Sequence, residues 1–165
     1  MRTVPVARRP NKVGAAEFSS PPGEDRSFAA FLQALPDVLV ARDFLLVVDA
    51  VVAAARARRA VVVMLGGHVV KTGLAPVLID LMRRGVVTHL GMNGSAAIHD
   101  YEIARFGATS EDVAAGLKDG TFGMADETGR GLNEAFTRGM QAGHGMGETV
   151  ARDLDARSDL ANPEL

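Results

Sequence analysis

The fold is decided by residues 60–73, which read AVVVMLGGHVVKTG. The first six residues are apolar and include three consecutive β-branched valines, a pattern typical of a strand buried on both faces in a parallel sheet. Gly66 and Gly67 end this strand, and the glycine-bearing loop that follows leads into a helix predicted over residues 73–84. A strand, a loop and a helix in this order are the first units of an α/β fold.

The same alternation continues downstream of this helix. Residues 86–91 predict a second strand, the turn Asn93-Gly94-Ser95 follows, and residues 96–106 predict another helix. The order β-α-β-α requires parallel strands joined by right-handed crossovers. The sequence therefore predicts the α/β class, with a parallel sheet and flanking helices.

The flanking segments divide the chain into an N-terminal arm (1–27), an α/β domain (28–152) and a polar, frayed C-terminal tail (153–165). The arm holds four prolines and no sustained hydrophobic period, so it is either a flexible tail or a segment that packs on another subunit. Further helices are predicted from the cap Ser27 to residue 34, from the cap Asp43 to about residue 58, after residues 109–112, and over about 127–141.

Composition limits the class of protein. A chain of 165 residues with 47% hydrophobic and 23% charged residues suits one soluble globular domain. The net charge of −2 gives no reason to expect nucleic acid or a membrane as partner. The absence of cysteine excludes disulfides and thiolate chemistry and favours the reducing cytoplasm. No window approaches a membrane span, so we expect a cytoplasmic protein.

Two loops lie where ligands of α/β sheets bind, outside the carboxyl ends of the strands. The first, residues 66–73, combines free backbone N–H groups with the ammonium of Lys71 and the hydroxyl of Thr72, which predicts a cradle for an anion or a pyrophosphate. It is no Walker A motif, because Val70 stands where glycine is needed. The alternative is that its glycines serve packing.

The second loop, residues 92–102, places His99 and Glu102 three positions apart on one helix face. A carboxylate there can orient an imidazole for proton transfer or bind a cationic amine. The alternative is that His99 caps backbone groups while Asp100 and Glu102 are solvated acids. No metal site is predicted, because the histidines lack a metal-binding spacing, and His89 is interpreted as a core residue of the second strand.

These segments resemble the deoxyhypusine synthase-like superfamily, in particular a group of bacterial proteins. The resemblance lies in RPNKV (9–13), GGHVVKTGLAPVLIDLM (66–82), MNGSAAIHDYE (92–102), GATSEDV (107–113) and FGM (122–124). It implies a Rossmann-like fold that binds NAD, and oxidation of an amine to an imine that a lysine captures. By position it implies that NAD is bound by Gly66, Gly67, His68, Lys71, Thr72, Gly73, Asn93, Gly94 and Ser95. It also implies that His99 and Asp100 lie near the nicotinamide or the amine. Together with Glu102, which the spacing places beside His99, these are the predicted catalytic residues.

The resemblance covers one half of such proteins, and the half that carries the catalytic lysine has no counterpart here. Lys71 is not that lysine. We therefore expect an incomplete Rossmann-like sheet and an NAD-dependent enzyme, or one subunit of a split enzyme, that acts on an amine or a related metabolite as part of an oligomer. A separately encoded C-terminal half would be its partner. The alternative is a non-catalytic subunit that binds a nucleotide or that partner.

Overall fold

The computed structural model describes residues 2–164, and the chain divides after Arg59 into two compact units. The first unit contains two short 3₁₀ turns (Val6–Arg8 and Ala15–Glu17) and the helices α1 (Phe28–Gln33) and α2 (Leu39–Arg56). The second contains β1 (Val62–Leu65), α3 (Gly67–Lys71), α4 (Ala75–Arg83), β2 (His89–Met92), α5 (Gly94–Phe106), α6 (Val113–Asp119), α7 (Asp126–Ala142) and α8 (Met146–Asp155). Among the described residues, no helix is both long enough and apolar enough to cross a bilayer.

The two helices of the first unit begin in different ways, one with a side-chain cap and one with an ion pair in its first turn. Ser27 caps α1 as predicted, because its hydroxyl oxygen accepts a hydrogen bond from the Ala30 N–H at 3.1 Å. The prediction that Asp43 caps the next helix is wrong, since α2 already begins at Leu39. Arg42 in the first turn of α2 binds the Asp37 carboxylate at 2.8 Å, which anchors the chain ahead of the helix.

The second unit is organised around a small parallel sheet. β1 pairs with β2 in parallel, with Val62 opposite His89 and Leu65 opposite Met92. This confirms the parallel pairing predicted from the β-α-β-α order. The arrangement is a partial α/β fold in which helices outweigh the sheet.

Two expectations about the strands are wrong. β1 is not buried on both faces, because Val62 is 56% exposed and Met64 is 84% exposed. Val63 and Leu65, which alternate with them along the strand, are half-buried. One face of β1 is therefore open to solvent, although its residues are apolar. His89 is exposed at the first position of β2, so it is not a core histidine.

The segment after β1 is also not the open loop that was predicted over residues 66–73. Residues 67–71 form α3, because the chain turns helical at once and the Val69 N–H bonds to the Gly66 carbonyl at 3.2 Å. Gly73 then breaks the helical path with a φ of +91°, which only glycine adopts without strain, and α4 follows. The crossover between the strands is thus two short helices.

α5 lies at the centre of the second unit. Its residues Ala96 and Tyr101 are fully buried, and it packs against α3 and α7. The chain after α8 returns to the end of α5, where the Asn162 backbone N–H bonds to the Ala104 carbonyl at 3.1 Å and the Asn162 side chain bonds to the Ile103 carbonyl at 3.0 Å. Residues 153–155 therefore belong to α8, and Asn162 holds the chain beyond α8 against the end of α5.

Candidate functional site

The carboxyl ends of the two strands lead directly into helices. Gly66 precedes α3, and Asn93 precedes α5 and caps it, with its side-chain oxygen accepting from the Ala96 N–H at 3.0 Å. The Asn93 N–H also bonds to the Leu65 carbonyl at 3.4 Å, so the two helix starts lie next to each other. This edge of the sheet is where open α/β folds bind their ligands.

The close contact between α3 and α5 requires the glycine at position 67. A Cβ there would lie 2.2 Å from Ser95 Oγ and 2.7 Å from His99 Cδ2, closer than van der Waals contact allows. Ser95 and His99 are one turn apart on α5, and both rest against the Gly67 backbone. The packing role thus accounts for Gly67.

The other residues predicted for the first loop differ in their exposure and in their contacts. His68 is exposed, and its carbonyl accepts a hydrogen bond from the Thr72 hydroxyl at 2.6 Å, so this hydroxyl is committed to the backbone. Lys71 lies one turn after Gly67 on the same face of α3 and is half-buried. Within residues 2–164, Lys71 makes no ion pair.

A cleft of about 610 Å³ lies beside α5 and brings Lys71, His99 and Glu102 together. Residues 108–111 and the beginning of α7 form its other walls. Asp100, predicted with these residues, does not line the cleft; it is half-buried elsewhere, and burial raises the pKa of its carboxyl. The cleft has the size of a small-molecule site.

A continuous chain of hydrogen bonds connects the side chains in this cleft. The distance between His99 Nδ1 and Thr109 Oγ1 is 2.7 Å, and the Thr109 hydroxyl donates to Glu102 Oε2 at 2.5 Å. The other carboxylate oxygen, Oε1, accepts from the Thr128 hydroxyl at 2.9 Å. His99 and Glu102 thus interact through a threonine.

The direction of these hydrogen bonds assigns the proton positions on His99. A carboxylate has only acceptors, so Thr109 must donate its single hydroxyl proton to Glu102. Thr109 Oγ1 can then only accept from His99, which places a proton on Nδ1. In the neutral imidazole this leaves a lone pair on Nε2, the atom that can accept a proton. The threonine and the glutamate therefore hold His99 in the tautomer of a base.

Acidic residues outnumber basic ones around the cleft. Glu102, Glu111 and Glu127 line it together with one lysine, Lys71. Glu111 accepts a hydrogen bond from the Gly123 N–H at 2.8 Å, which fixes its carboxylate at the wall. This surplus of negative charge favours a cationic ligand.

Two residues of the hydrogen-bonded chain were not found from the sequence. Thr109 stood in the pattern of a helix start, and Thr128 is a buried threonine in α7. Thr109 is ten residues from His99, and Thr128 is twenty-six from Glu102, so helical spacing gives no indication of either contact. The spacing did indicate that His99 and Glu102 share one face of α5.

The chain matches no family model, no curated protein and no solved structure in the comparisons made. The resemblance to the deoxyhypusine synthase-like superfamily therefore stays a prediction from motifs.

Proposed function

We propose that the chain is an NAD-dependent enzyme, or one subunit of a split enzyme, of deoxyhypusine synthase-like type that acts on a small amine. The observation that carries the proposal is the chain from His99 through Thr109 to Glu102 in the cleft. Oxidation of an amine to an imine requires a base, because the substrate arrives as an ammonium and must lose a proton. His99 Nε2 is the atom proposed for this role.

The surroundings of His99 support this role. When Nε2 takes a proton, the imidazole becomes positively charged, and its Nδ1–H strengthens the hydrogen bond to Thr109. Thr109 passes this polarisation to the Glu102 carboxylate, whose second oxygen is held by Thr128. Glu102 thus compensates the charge on His99 and, with Thr109, fixes the ring. Thr109 is a positioning residue in this scheme.

The cleft supports an amine as the substrate. The carboxylates of Glu111 and Glu127 line the same space as His99, and each can attract an ammonium group. Apolar side chains, among them Ile98 and Phe122, form other parts of the wall and can contact the carbon atoms of such a substrate.

Two features near the cleft fit a dinucleotide. Lys71 is a half-buried ammonium without an ion-pair partner in the described chain, which suits a phosphate. Gly94 begins α5, and a Cβ at this position would meet no heavy atom of residues 2–164 within 4 Å, so a ligand can approach the first N–H groups of the helix. Gly67 and Thr72 do not fit, because their contacts are internal. Bound NAD would supply a hydride acceptor.

The first test is calorimetric titration of the purified chain with NAD and with simple primary amines, followed by an assay for amine-dependent formation of reduced nicotinamide. We expect Lys71→Met to weaken NAD binding, while Lys118→Met, a variant outside the cleft, leaves it unchanged. His99→Gln should lower turnover by about 10²- to 10⁴-fold, the usual contribution of a general base. His89→Gln, at an exposed histidine, is the matched control. A chain that binds neither NAD nor any amine would refute the proposal.

A second function is favoured by the open face of β1. Val62 and Met64 expose apolar surface there, which suits a non-catalytic subunit that binds a nucleotide or assembles with a C-terminal-half protein. NAD binding without amine binding, together with unchanged NAD binding in His99→Gln, would support this alternative. Amine-dependent reduction of NAD by the purified chain would exclude it.

A further inference from the structure

We infer that the amine substrate carries an apolar arm, and that this arm lies in a second cavity next to the cleft. The inference rests on the proposed function, and it adds a binding site and a substrate class to it. The second cavity has a volume of about 370 Å³ and lies between α5 and α7.

The second cavity lies directly beside the cleft. Five residues line both spaces: Ile98, Glu102, Glu111, Ala125 and Thr128. The Glu102 carboxylate, with Thr128 bonded to it, therefore lies on the border between the two. A ligand whose ammonium lies near this border can place one part near His99 and another part in the second cavity.

The walls of the second cavity are mostly apolar. Ala97 and Ile98 contribute from α5, and Leu132 and Phe136 contribute from α7. Small residues, including Gly94 and Gly129, provide the space. Among the described residues, the charged groups that line this cavity are Glu102 and Glu111, both at the shared border, and no lysine or arginine lines it. The part of the cavity around Leu132 and Phe136 therefore favours hydrocarbon.

These walls distinguish a monoamine with an apolar arm from a diamine of the same length. The far ammonium of a diamine would lose part of its hydration beside Leu132 and Phe136, and beyond the shared border the Asn133 amide is the only side-chain polar group among the described residues that line the cavity. An alkyl arm has no such cost and gains roughly three- to fourfold in affinity for each methylene that it buries. We therefore expect hexylamine to bind on the order of 30- to 60-fold more tightly than propylamine, from three further methylenes.

Gly129 offers a way to fill the second cavity without disturbing the fold. A Cβ at Gly129 would meet no heavy atom of the described chain within 4 Å, and leucine is a better helix former than glycine. Gly129→Leu therefore projects a side chain into the cavity from α7. Gly147→Leu is the matched control, because Gly147 is also open, lies in α8 and lines neither cavity.

The experiment is calorimetric titration of the full chain and both variants with propylamine, hexylamine and 1,6-diaminohexane. We expect the unsubstituted chain to prefer hexylamine over both other ligands. Gly129→Leu should lower the affinity for hexylamine to that for propylamine and leave propylamine unchanged, while Gly147→Leu behaves like the unsubstituted chain.

Three outcomes would overturn the inference alone while propylamine still binds. They are equal affinity for propylamine and hexylamine, a diamine that binds as tightly as hexylamine, and unchanged hexylamine binding in Gly129→Leu. If none of the amines binds, the proposed function and the inference both fail. Lower turnover of propylamine in His99→Gln together with equal binding of the two monoamines would retain the function and reject the apolar arm.

Discussion

A tight contact between α5 and α7, at Gly131 and Tyr101, provides a test of the packing around the site. A Cβ at Gly131 of α7 would lie 2.1 Å from the Tyr101 hydroxyl oxygen and 3.0 Å from Tyr101 Cζ. Tyr101 is fully buried, so its ring has little room to move. Gly129, two residues earlier in the same helix, faces open space. Alanine at these two positions therefore separates helix propensity from packing.

The expected magnitudes follow from these contacts. Gly129→Ala should raise the free energy of unfolding by up to about 1 kcal/mol, because alanine is the better helix former. Gly131→Ala has the same gain but loses about 1–3 kcal/mol to overpacking against Tyr101. At about 2–4 °C per kcal/mol for a chain of this size, the midpoints of the two variants should differ by about 2–12 °C. Thermal and urea unfolding followed by circular dichroism measure both quantities.

A double-mutant cycle identifies the atom responsible. Tyr101→Phe removes the hydroxyl and, alone, costs about 1 kcal/mol, because Arg105 Nη1 donates to this oxygen at 3.0 Å. In the Tyr101→Phe background, Gly131→Ala should be tolerated better, so the combined loss is smaller than the sum of the two single losses. Equal stability of Gly129→Ala and Gly131→Ala would refute the reasoning. Strict additivity in the cycle would show that the hydroxyl is not the obstacle.

Three further predictions concern α5 and the residues that contact it. Gly67→Ala should lower the free energy of unfolding by about 1–3 kcal/mol because of the Ser95 and His99 contacts, and Gly94→Ala should not; equal urea midpoints would contradict this. Burial raises the pKa of Asp100, so stability should fall as pH rises from the unfolded pKa through the higher folded pKa. Asp100→Asn should remove this fall and be more stable at neutral pH, and an unchanged pH profile would disprove the burial argument. Thr109→Val should lower the fraction of the His99 tautomer with a proton on Nδ1 in ¹⁵N NMR spectra, and Thr109→Ser should restore it; identical spectra would exclude the assigned chain.

The order of elements in the second unit was predictable because it depends on local periodicity. The apolar run ending at Leu65 and the turn at Asn93-Gly94-Ser95 indicated the alternation of strand and helix, and this alternation predicted the parallel pairing that is observed. α3 was not predicted, because its five residues are too few to show a helical period of apolar residues. The start of α2 at Leu39 was not predicted, because Val38, which precedes the helix, has no side chain that can cap it.

The environment of the strands was less predictable. An uninterrupted apolar run predicts burial on both faces, but the run itself does not supply the layer that covers the second face. In this chain the Val62 and Met64 side chains project from the face of β1 that stays exposed. Their chemistry is that of a buried strand, and this is why the pattern gave the wrong answer.

The candidate site was predictable in its helical part only. The three-residue spacing of His99 and Glu102 placed both on one face of α5, and both line the cleft. The threonine between them comes from the segment after α5, and the second threonine comes from α7. Contacts of this kind depend on how the helices pack, and no periodicity in the sequence contains that information.

The glycines explain why the proposed ligand site does not include the whole of the first loop, as the sequence had predicted. At Gly67 the space that a Cβ would occupy is filled by the chain's own Ser95 and His99, and at Gly73 the glycine serves a positive φ. At Gly94 and Gly129, by contrast, a Cβ would enter open space that borders the second cavity. A glycine kept for a ligand leaves space that the chain itself does not fill. We therefore expect bulky side chains at Gly94 or Gly129 to affect binding before stability, and a side chain at Gly67 to affect stability first.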